Sequence, residues 1–90
     1  MQRFNYKLKT FNKIVSKIVE GKKCKLEITQ KRGSGMRYEI FSNGSTVLEN
    51  MWVLHCHDGK KITSKKDFEK VAFQLGITLE KLIQALEEEN

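Results

Sequence analysis

The sequence predicts an α+β fold built as a two-layer sandwich, in which helices cover one face of a small antiparallel sheet. Helical and strand patterns are segregated along the chain, with a helix first, then the strands, then two more helices. Two tight-turn signals, Asn43 with Gly44 and Asp58 with Gly59, bracket the longest apolar run and favour hairpins. We therefore expect residues 1–90 to form a single domain ordered α-β-β-β-(β)-α-α: an N-terminal helix, a three- to four-stranded antiparallel meander and two C-terminal helices.

Residues 3–20 have the periodicity of an amphipathic helix. Their apolar side chains recur every three or four positions and form one stripe: Phe4, Leu8, Phe11, Ile14, Val15, Ile18 and Val19. At about 100° per residue, Arg3, Lys9, Lys13 and Lys17 fall on the opposite face. Gly21 is a typical stop signal, so the helix is expected to end there.

Three stretches have the patterns of strands, and the first two alternate between apolar and polar side chains. In the first two, residues 22–31 and 36–42, the apolar side chains that share a face are Cys24, Leu26 and Ile28, then Met36, Tyr38 and Ile40. The third strand lies within residues 46–57, with a bulge expected near Glu49 and Asn50. We expect its apolar run, residues 51–56, to be covered on both faces and to form the middle of the sheet. A short edge segment would contain Ile62.

Two helices are predicted at the end of the chain. Ser64 and Asp67 have the spacing of a capping box, and Gly76 is expected to end the first helix. Thr78 is the expected cap of the last helix. The predicted apolar stripes are Phe68, Val71, Ala72 and Leu75, then Leu79, Leu82, Ile83 and Leu86. Residues 87–89 are all glutamate at the unfavourable end of the helix dipole, so we expect this end to fray.

Length and composition limit the classes of protein to consider. A chain of 90 residues has room for one core, and no apolar run approaches the ~18 residues of a membrane span. The N-terminus lacks the apolar centre of a signal peptide, so a cytoplasmic location is expected. In that compartment Cys24 and Cys56 are expected to be reduced, buried thiols.

The charge is distributed unevenly along the chain. Residues 1–37 carry eleven Lys or Arg against two Glu, a balance of +9, whereas residues 38–90 carry six Lys against nine Asp or Glu, a balance of −3. A basic half of this kind suggests a polyanionic partner. The residues predicted to bind nucleic acid lie on the first helix and the first hairpin: Lys9, Lys13, Lys17, Lys22, Lys23, Lys25, Lys31, Arg32 and Arg37. Arg37, Phe41 and Trp52 could share the outer face of the sheet, where aromatic rings beside cations would suit stacked single-stranded bases.

Residues 71–82 resemble the helix-turn-helix motif. Its small-residue, turn and packing positions are matched by Ala72, Gly76, Ile77, Thr78 and Leu82. The resemblance implies a recognition helix beginning near Thr78. That helix carries Glu80 and three further glutamates against Lys81 alone, and an acidic helix is repelled by a phosphate-lined groove. We therefore interpret this segment as a helical hairpin and do not expect it to read DNA.

The order of one helix, three strands and one helix resembles the double-stranded RNA-binding domain. Ser64, Lys65 and Lys66 are similar to the basic helix N-terminus of that family, which implies phosphate contacts at these residues. The sequence departs from the family in the first hairpin, where residues 31–35 stand in place of a loop histidine. The alanine-rich helix face of the family is also missing. We do not assign the chain to this family.

No residue pattern indicates catalysis. His55 and His57 share a strand face, but a metal site needs a third and a fourth ligand, and none is fixed nearby. There is no nucleophile with a base at a catalytic spacing, and no glycine loop of the phosphate-binding kind. We expect no enzymatic activity, no metal and no cofactor.

Two functional hypotheses remain open. In the first, the chain is a small, non-catalytic, regulatory protein that binds DNA or RNA. Its basic patch would bind single-stranded or structured nucleic acid. In the second, it is a compact protein-interaction module or inhibitor, of the kind encoded by mobile elements, that binds a protein through an exposed anchor. Phe41 and Phe73 are the anchor candidates. A homodimer is compatible with both hypotheses.

Overall fold

A computed structural model describes residues 5–30, 35–42, 44, 46–55, 61, 62 and 64–89. These residues form eight helices and strands. In chain order they are β1 (Tyr6–Lys7), α1 (Leu8–Gly21), β2 (Cys24–Gln30), β3 (Gly35–Ser42), β4 (Leu48–His55), β5 (Lys61–Ile62), α2 (Lys65–Leu75) and α3 (Leu79–Glu89). This order confirms the predicted α+β class, with a helix, an antiparallel sheet and two C-terminal helices.

The main sheet has three antiparallel strands in the order β2-β3-β4. The central strand is β3, where Met36, Tyr38 and Ile40 are all buried. The prediction that residues 51–56 form the middle of the sheet is therefore wrong, because β4 lies at an edge. In β4 only the inward side chains are buried, whereas Met51 and His55 are exposed. Cys56 lies outside the described residues.

Near the N-terminus, the chain is extended before it becomes helical. Tyr6 and Lys7 pair in register with Ile62 and Lys61, which makes a separate two-stranded sheet. The predicted helix over residues 3–20 consequently begins later, at Leu8. The edge segment predicted around Ile62 does exist, but it pairs with β1 and not with the main sheet. Burial of Tyr6 against Ile62 explains why tertiary pairing overrides the helical pattern at this end.

The bulge predicted near Glu49 and Asn50 is confirmed. In the β3–β4 pair, Ile40 faces Asn50 but the next residue, Phe41, faces Leu48, so Glu49 is the extra residue. A bulge of this kind changes the face on which the following side chains lie. As a result, Leu48 and Met51 are on the same face of β4, although their sequence spacing alone would put them on opposite faces.

Helix α1 packs the predicted stripe against the sheet and ends as the periodicity requires. Phe11, Ile14, Val15 and Val19 are buried. The left-handed residue that follows the helix is Lys23, with φ +60°, whereas Gly21 is the last helical residue. Gly21 therefore marks the end of the helix as predicted, but the left-handed backbone conformation falls two residues later, on Lys23.

Helices α2 and α3 form a hairpin around Gly76, which adopts φ +71° as expected of a helix C-cap. Thr78 caps α3 through its Oγ1, which accepts the Lys81 N–H at 3.1 Å. The predicted capping box at α2 is wrong in one respect: Ser64 is the N-cap residue, but its side chain makes no capping hydrogen bond. In the described part of the chain, no helix combines the length and apolar character needed to cross a membrane.

A chain of aromatic rings connects the layers through the core. The Tyr6 and Phe68 rings lie 5.6 Å apart, and the Phe11 ring lies 5.5 Å from Phe68 and 6.5 Å from Tyr38, all in edge-to-face geometry. Tyr38 in turn stacks on Trp52. Edge-to-face and stacked pairs stabilise a core beyond the apolar area that they bury. These contacts hold α1 and α2 on the same face of the main sheet.

Candidate interaction surface on the open face of the sheet

Among the residues that the structure describes, helices cover one face of the main sheet and no element covers the other. Because side chains alternate along a strand, the residues between the buried positions point away from the helices. We call this surface the open face, and its described members are Lys25, Glu27 and Thr29 of β2, Arg37, Glu39 and Phe41 of β3, and Leu48, Met51, Val53 and His55 of β4. None of them is fully buried.

Four apolar side chains form a continuous strip on the open face, which we call the apolar strip: Phe41, Leu48, Met51 and Val53. Phe41 lies directly opposite Leu48, and Met51 and Val53 continue along β4. Leu48 is 43% exposed and Met51 is 40% exposed, while Phe41 and Val53 are half-buried. The bulge at Glu49 creates this strip, because it turns Leu48 onto the face that Met51 occupies. Val47, which precedes β4, adds a further exposed apolar side chain.

Beside the apolar strip, the charged side chains that the structure describes are balanced in sign. Glu27 and Glu39 lie directly opposite each other on β2 and β3, an arrangement of like charges that is unfavourable in a sheet. Lys25 compensates Glu27 with an Nζ to Oε1 distance of 3.4 Å. Arg37 lies between Thr29 and Val53, and its Nε is buried with no hydrogen-bond partner among the described residues. A buried donor without an acceptor needs an explanation in any structure.

The predicted basic patch is divided between two sides of the molecule. Lys9, Lys13 and Lys17 lie on the solvent side of α1, which is on the helical face of the sheet, whereas Lys25 and Arg37 lie on the open face. Lys23 is exposed in the turn between α1 and β2. Lys31 and Arg32 lie outside the described residues, as does Arg3.

Several of these cations already have partners within the chain. The Nζ atoms of Lys13 and Lys17 lie 2.6 and 3.2 Å from the Glu89 carboxylate. These contacts lower the pKa of Glu89, chiefly through the Lys13 hydrogen bond and then the Lys17 hydrogen bond. The ammonium group of Lys22 donates to the carbonyl of Leu75 at the end of α2. We call the exposed lysines Lys9, Lys13 and Lys17 the α1 ridge. Through Lys13 and Lys17, Glu89 connects this ridge to the acidic end of α3, where the sequence predicted fraying.

The three aromatic candidates have different environments. Trp52 is only 4% exposed and faces the core, so the prediction that it shares the outer face with Arg37 and Phe41 is wrong. Its position follows from the bulge, because the register pairs Trp52 with the buried Tyr38. Phe41 lies on the open face, as predicted. Phe73 is 81% exposed on the solvent side of α2, off the buried stripe, where an anchor candidate would have to lie.

A cavity of about 220 Å³ lies between the start of β2 and the C-terminus of α2. Its polar lining groups bind one another: the Cys24 thiol donates to Glu49 at 3.2 Å, and the Asn50 amide donates to the Gln74 carbonyl at 3.2 Å. The hydrogen bond to Glu49 raises the pKa of Cys24, with burial as the second cause. Cys24 is half-buried, so the expectation of a fully buried thiol is wrong for this residue.

The histidine and acidic residues do not gather into a metal site within the part of the chain that the structure describes. His55 is exposed at the end of β4, on the open face. Its neighbour His57 lies outside the described residues. A chelating pair therefore remains a sequence pattern without a described geometry.

Sequence reasoning identified Phe41 but missed Leu48, Met51 and Val53 as members of one surface. The available signal was the predicted bulge: reversing the alternation at Glu49 places Leu48 with Met51. No protein family, no curated protein and no solved structure matches this chain.

Proposed function

We propose that this chain is a protein-interaction module that binds another protein through the open face of its sheet. The observation that carries the proposal is the apolar strip of Phe41, Leu48, Met51 and Val53, which is continuous and partly exposed. Contiguous exposed apolar surface beside polar residues is typical of protein–protein contact sites. A two-layer sandwich gains nothing in stability from leaving such a strip in water, because exposed apolar area lowers the hydrophobic contribution to folding.

The chemistry of the open face suits a protein better than a polyanion. Lys25 and Arg37 are matched there by Glu27 and Glu39, so a phosphate backbone laid on the described part of this face would meet as many carboxylates as cations. On the helical side, Glu89 compensates Lys13 and Lys17. Binding of single-stranded or structured nucleic acid through the remaining cations stays a hypothesis, and the experiment below distinguishes it.

The residues of the open face also indicate the chemistry of the partner. An apolar side chain of the partner would cover Met51 and Leu48, and a basic group beside it would relieve the repulsion between Glu27 and Glu39. The expected partner therefore presents an apolar anchor flanked by a basic residue.

The test is affinity capture from a nuclease-treated lysate of the source cells with three forms of the whole protein. The first is the wild-type chain, and the second carries Leu48→Glu and Met51→Glu, which place two charges on the apolar strip. The third carries Phe73→Glu and Gln84→Glu, which add the same two charges to exposed positions on α2 and α3. All substituted side chains are exposed, so each variant is expected to fold.

We expect one stoichiometric protein with the wild type and with the helix variant, and its loss with the strip variant. Retention of the partner by the strip variant would contradict the proposal. Loss of the partner with the helix variant alone would place the anchor at Phe73 and also contradict it. A partner that the wild type recovers from an untreated lysate, but not from the nuclease-treated one, would support the nucleic-acid hypothesis in its place.

A further inference from the structure

The two edges of the main sheet differ in how their backbone groups are protected. On β4, the Met51 N–H is accepted by the Asn50 side-chain oxygen at 2.9 Å, and the Lys70 ammonium reaches the Val53 carbonyl at 3.5 Å. The bulge at Glu49 further interrupts this strand. A bulge is one of the means by which proteins prevent an edge strand from pairing with another chain, and side chains that occupy edge backbone groups hinder the same pairing.

The other edge, β2, has none of these protections among the described residues. It is seven residues long and pairs with β3 in one unbroken register from Cys24 to Gln30. No described hydrogen bond involves the backbone groups of residues 25–30 outside that pairing. On the helical face, Leu26 is half-buried and Ile28 is 37% exposed, so the helix layer leaves this strand partly uncovered.

We propose that β2 pairs with β2 of a second copy of this chain, antiparallel and in a single register with the two-fold axis at Leu26. In that register, Leu26 lies opposite Leu26 of the second copy. Lys25 lies opposite Glu27 of the second copy, and Glu27 opposite its Lys25. On the helical face, Cys24 lies opposite Ile28 of the second copy.

Charge complementarity favours a second copy of this chain as the pairing partner, and it favours this register. The sequence Lys25-Leu26-Glu27 is self-complementary under a two-fold axis at its centre, because opposite charges meet twice and two leucines meet once. Moving the axis one residue in either direction places Lys25 or Glu27 against its own copy, which is repulsive. The partly exposed Ile28 also gains an apolar neighbour only by covering this edge.

The dimer extends the structure in a specific way. Two three-stranded sheets become one six-stranded antiparallel sheet, and the two-fold axis runs perpendicular to it. Both open faces then lie on the same side, next to each other. The inference does not rest on the proposed function, because the β2 edge lies across the sheet from Leu48, Met51 and Val53, the β4 members of the apolar strip.

A charge-swap series on the whole chain tests the register, with mass measured by sedimentation equilibrium. Lys25→Glu and Glu27→Lys each replace two attractive pairs by two repulsive ones, so each is expected to raise the dimer dissociation constant at least tenfold. The double variant with both substitutions has the wild-type net charge and restores both pairs, so it should dimerise as the wild type does. A monomeric wild type at millimolar concentration, or a double variant no better than the singles, would overturn the proposal.

A disulfide provides a second readout that does not depend on charge. Residues directly opposite in an antiparallel pair have Cα atoms about 4.5–5.5 Å apart, within the range that a disulfide spans. With Cys56 replaced by Ser throughout, Ile28→Cys should form a covalent dimer with Cys24 under mild oxidation. The same variant carrying Cys24→Ser should not, and an equal yield from both would contradict the register. The strip variant with Leu48→Glu and Met51→Glu should still dimerise, which separates this inference from the proposed function.

Discussion

Tyr38 and Trp52 face each other across β3 and β4 with their rings stacked, 5.3 Å between centroids and 7° between planes. This pair joins the central strand to the edge strand on the helical face, and both residues are buried. The bulge at Glu49 fixes the register of β4. It therefore places Trp52 on the helical face of the sheet and Leu48 on the open face. The core and the open face therefore depend on one irregularity in one strand.

Trp52 is expected to be among the most destabilising positions to truncate. Trp52→Ala should lower the free energy of unfolding by about 3–5 kcal/mol, because it removes a large buried ring and the stacking contact of that ring with Tyr38. Trp52→Phe should cost less, since it keeps an aromatic ring and removes an indole N–H that has no acceptor among the described residues. Urea unfolding followed by circular dichroism measures both. Phe73→Ala, at an 81% exposed position, is the control and should change stability by less than about 0.5 kcal/mol.

Two glycines are expected to respond to alanine with opposite signs. Gly76 has φ +71°, and a Cβ there would lie 3.3 Å from the Lys22 Nζ, so Gly76→Ala should destabilise by about 1–2 kcal/mol. Gly21 is helical, and a Cβ there meets nothing within 4 Å. Gly21→Ala should therefore stabilise by about 0.5 kcal/mol, because it restricts the unfolded chain. Thermal unfolding of both variants at one pH checks the signs, and a destabilised Gly21→Ala would contradict the described end of α1.

The contact between Tyr6 and Glu87 predicts a loss of stability at alkaline pH. The Tyr6 hydroxyl donates to Glu87 at 2.5 Å, and burial followed by this hydrogen bond raises the pKa of Tyr6 to about 12 from 10.0. Because the folded-state pKa is the higher one, the contribution is fully present below pH 10 and is lost as the pH rises towards 12. The difference in unfolding free energy between wild type and Tyr6→Phe should be constant below pH 9 and decrease above pH 10. A difference that stays constant to pH 12 would contradict the contact.

Glu89 predicts the opposite pH dependence. Its pKa is lowered by the hydrogen bonds from Lys13 and Lys17, so its contribution is present above pH 4.5 and is lost as the pH falls through the folded-state value. The stability difference between wild type and Glu89→Gln should vanish in acid and should also shrink in 1 M salt, since the ions are exposed. Equilibrium unfolding at pH 3 and pH 7 measures it.

The same variant tests the nucleic-acid hypothesis. Glu89→Gln removes the compensating charge beside Lys13 and Lys17, so a protein that binds phosphates with the α1 ridge should bind an oligonucleotide more tightly, with a steeper salt dependence. We expect no such gain if the open face is the functional surface. Fluorescence anisotropy with a labelled single-stranded oligonucleotide at several salt concentrations distinguishes the two.

The helices could be predicted from the sequence because their information is local. Phe68, Val71 and Leu75 lie on one face of any helix that contains them, whatever the rest of the chain does. The bulge and the Thr78 cap were predictable for the same reason. The position of β4 was not, since the difference between an edge and a central strand depends on which other strand pairs with it. β5, which would have flanked β4, pairs instead with Tyr6 and Lys7.

The candidate site was harder to predict than the fold. Counting charges identified Lys13 and Lys17 correctly as an exposed ridge, but the partner of that ridge is Glu89, more than seventy residues away in the chain. The apolar strip combines two strands and depends on register, and the spacing of Leu48 and Met51 suggests opposite faces. Contacts between distant parts of the chain determine both the ion pairs of Glu89 and the apolar strip. Such contacts cannot be predicted from composition.

Site-specific photocrosslinking tests the proposed function most directly. A benzophenone amino acid at Met51 lies on the apolar strip, and the same group at Gln84 lies on the exposed side of α3 as a matched control. After irradiation in the source cells, we expect a discrete crosslinked protein from position 51 and none from position 84. The absence of any protein adduct from position 51, or the same adducts from both positions, would contradict a docking surface on the open face.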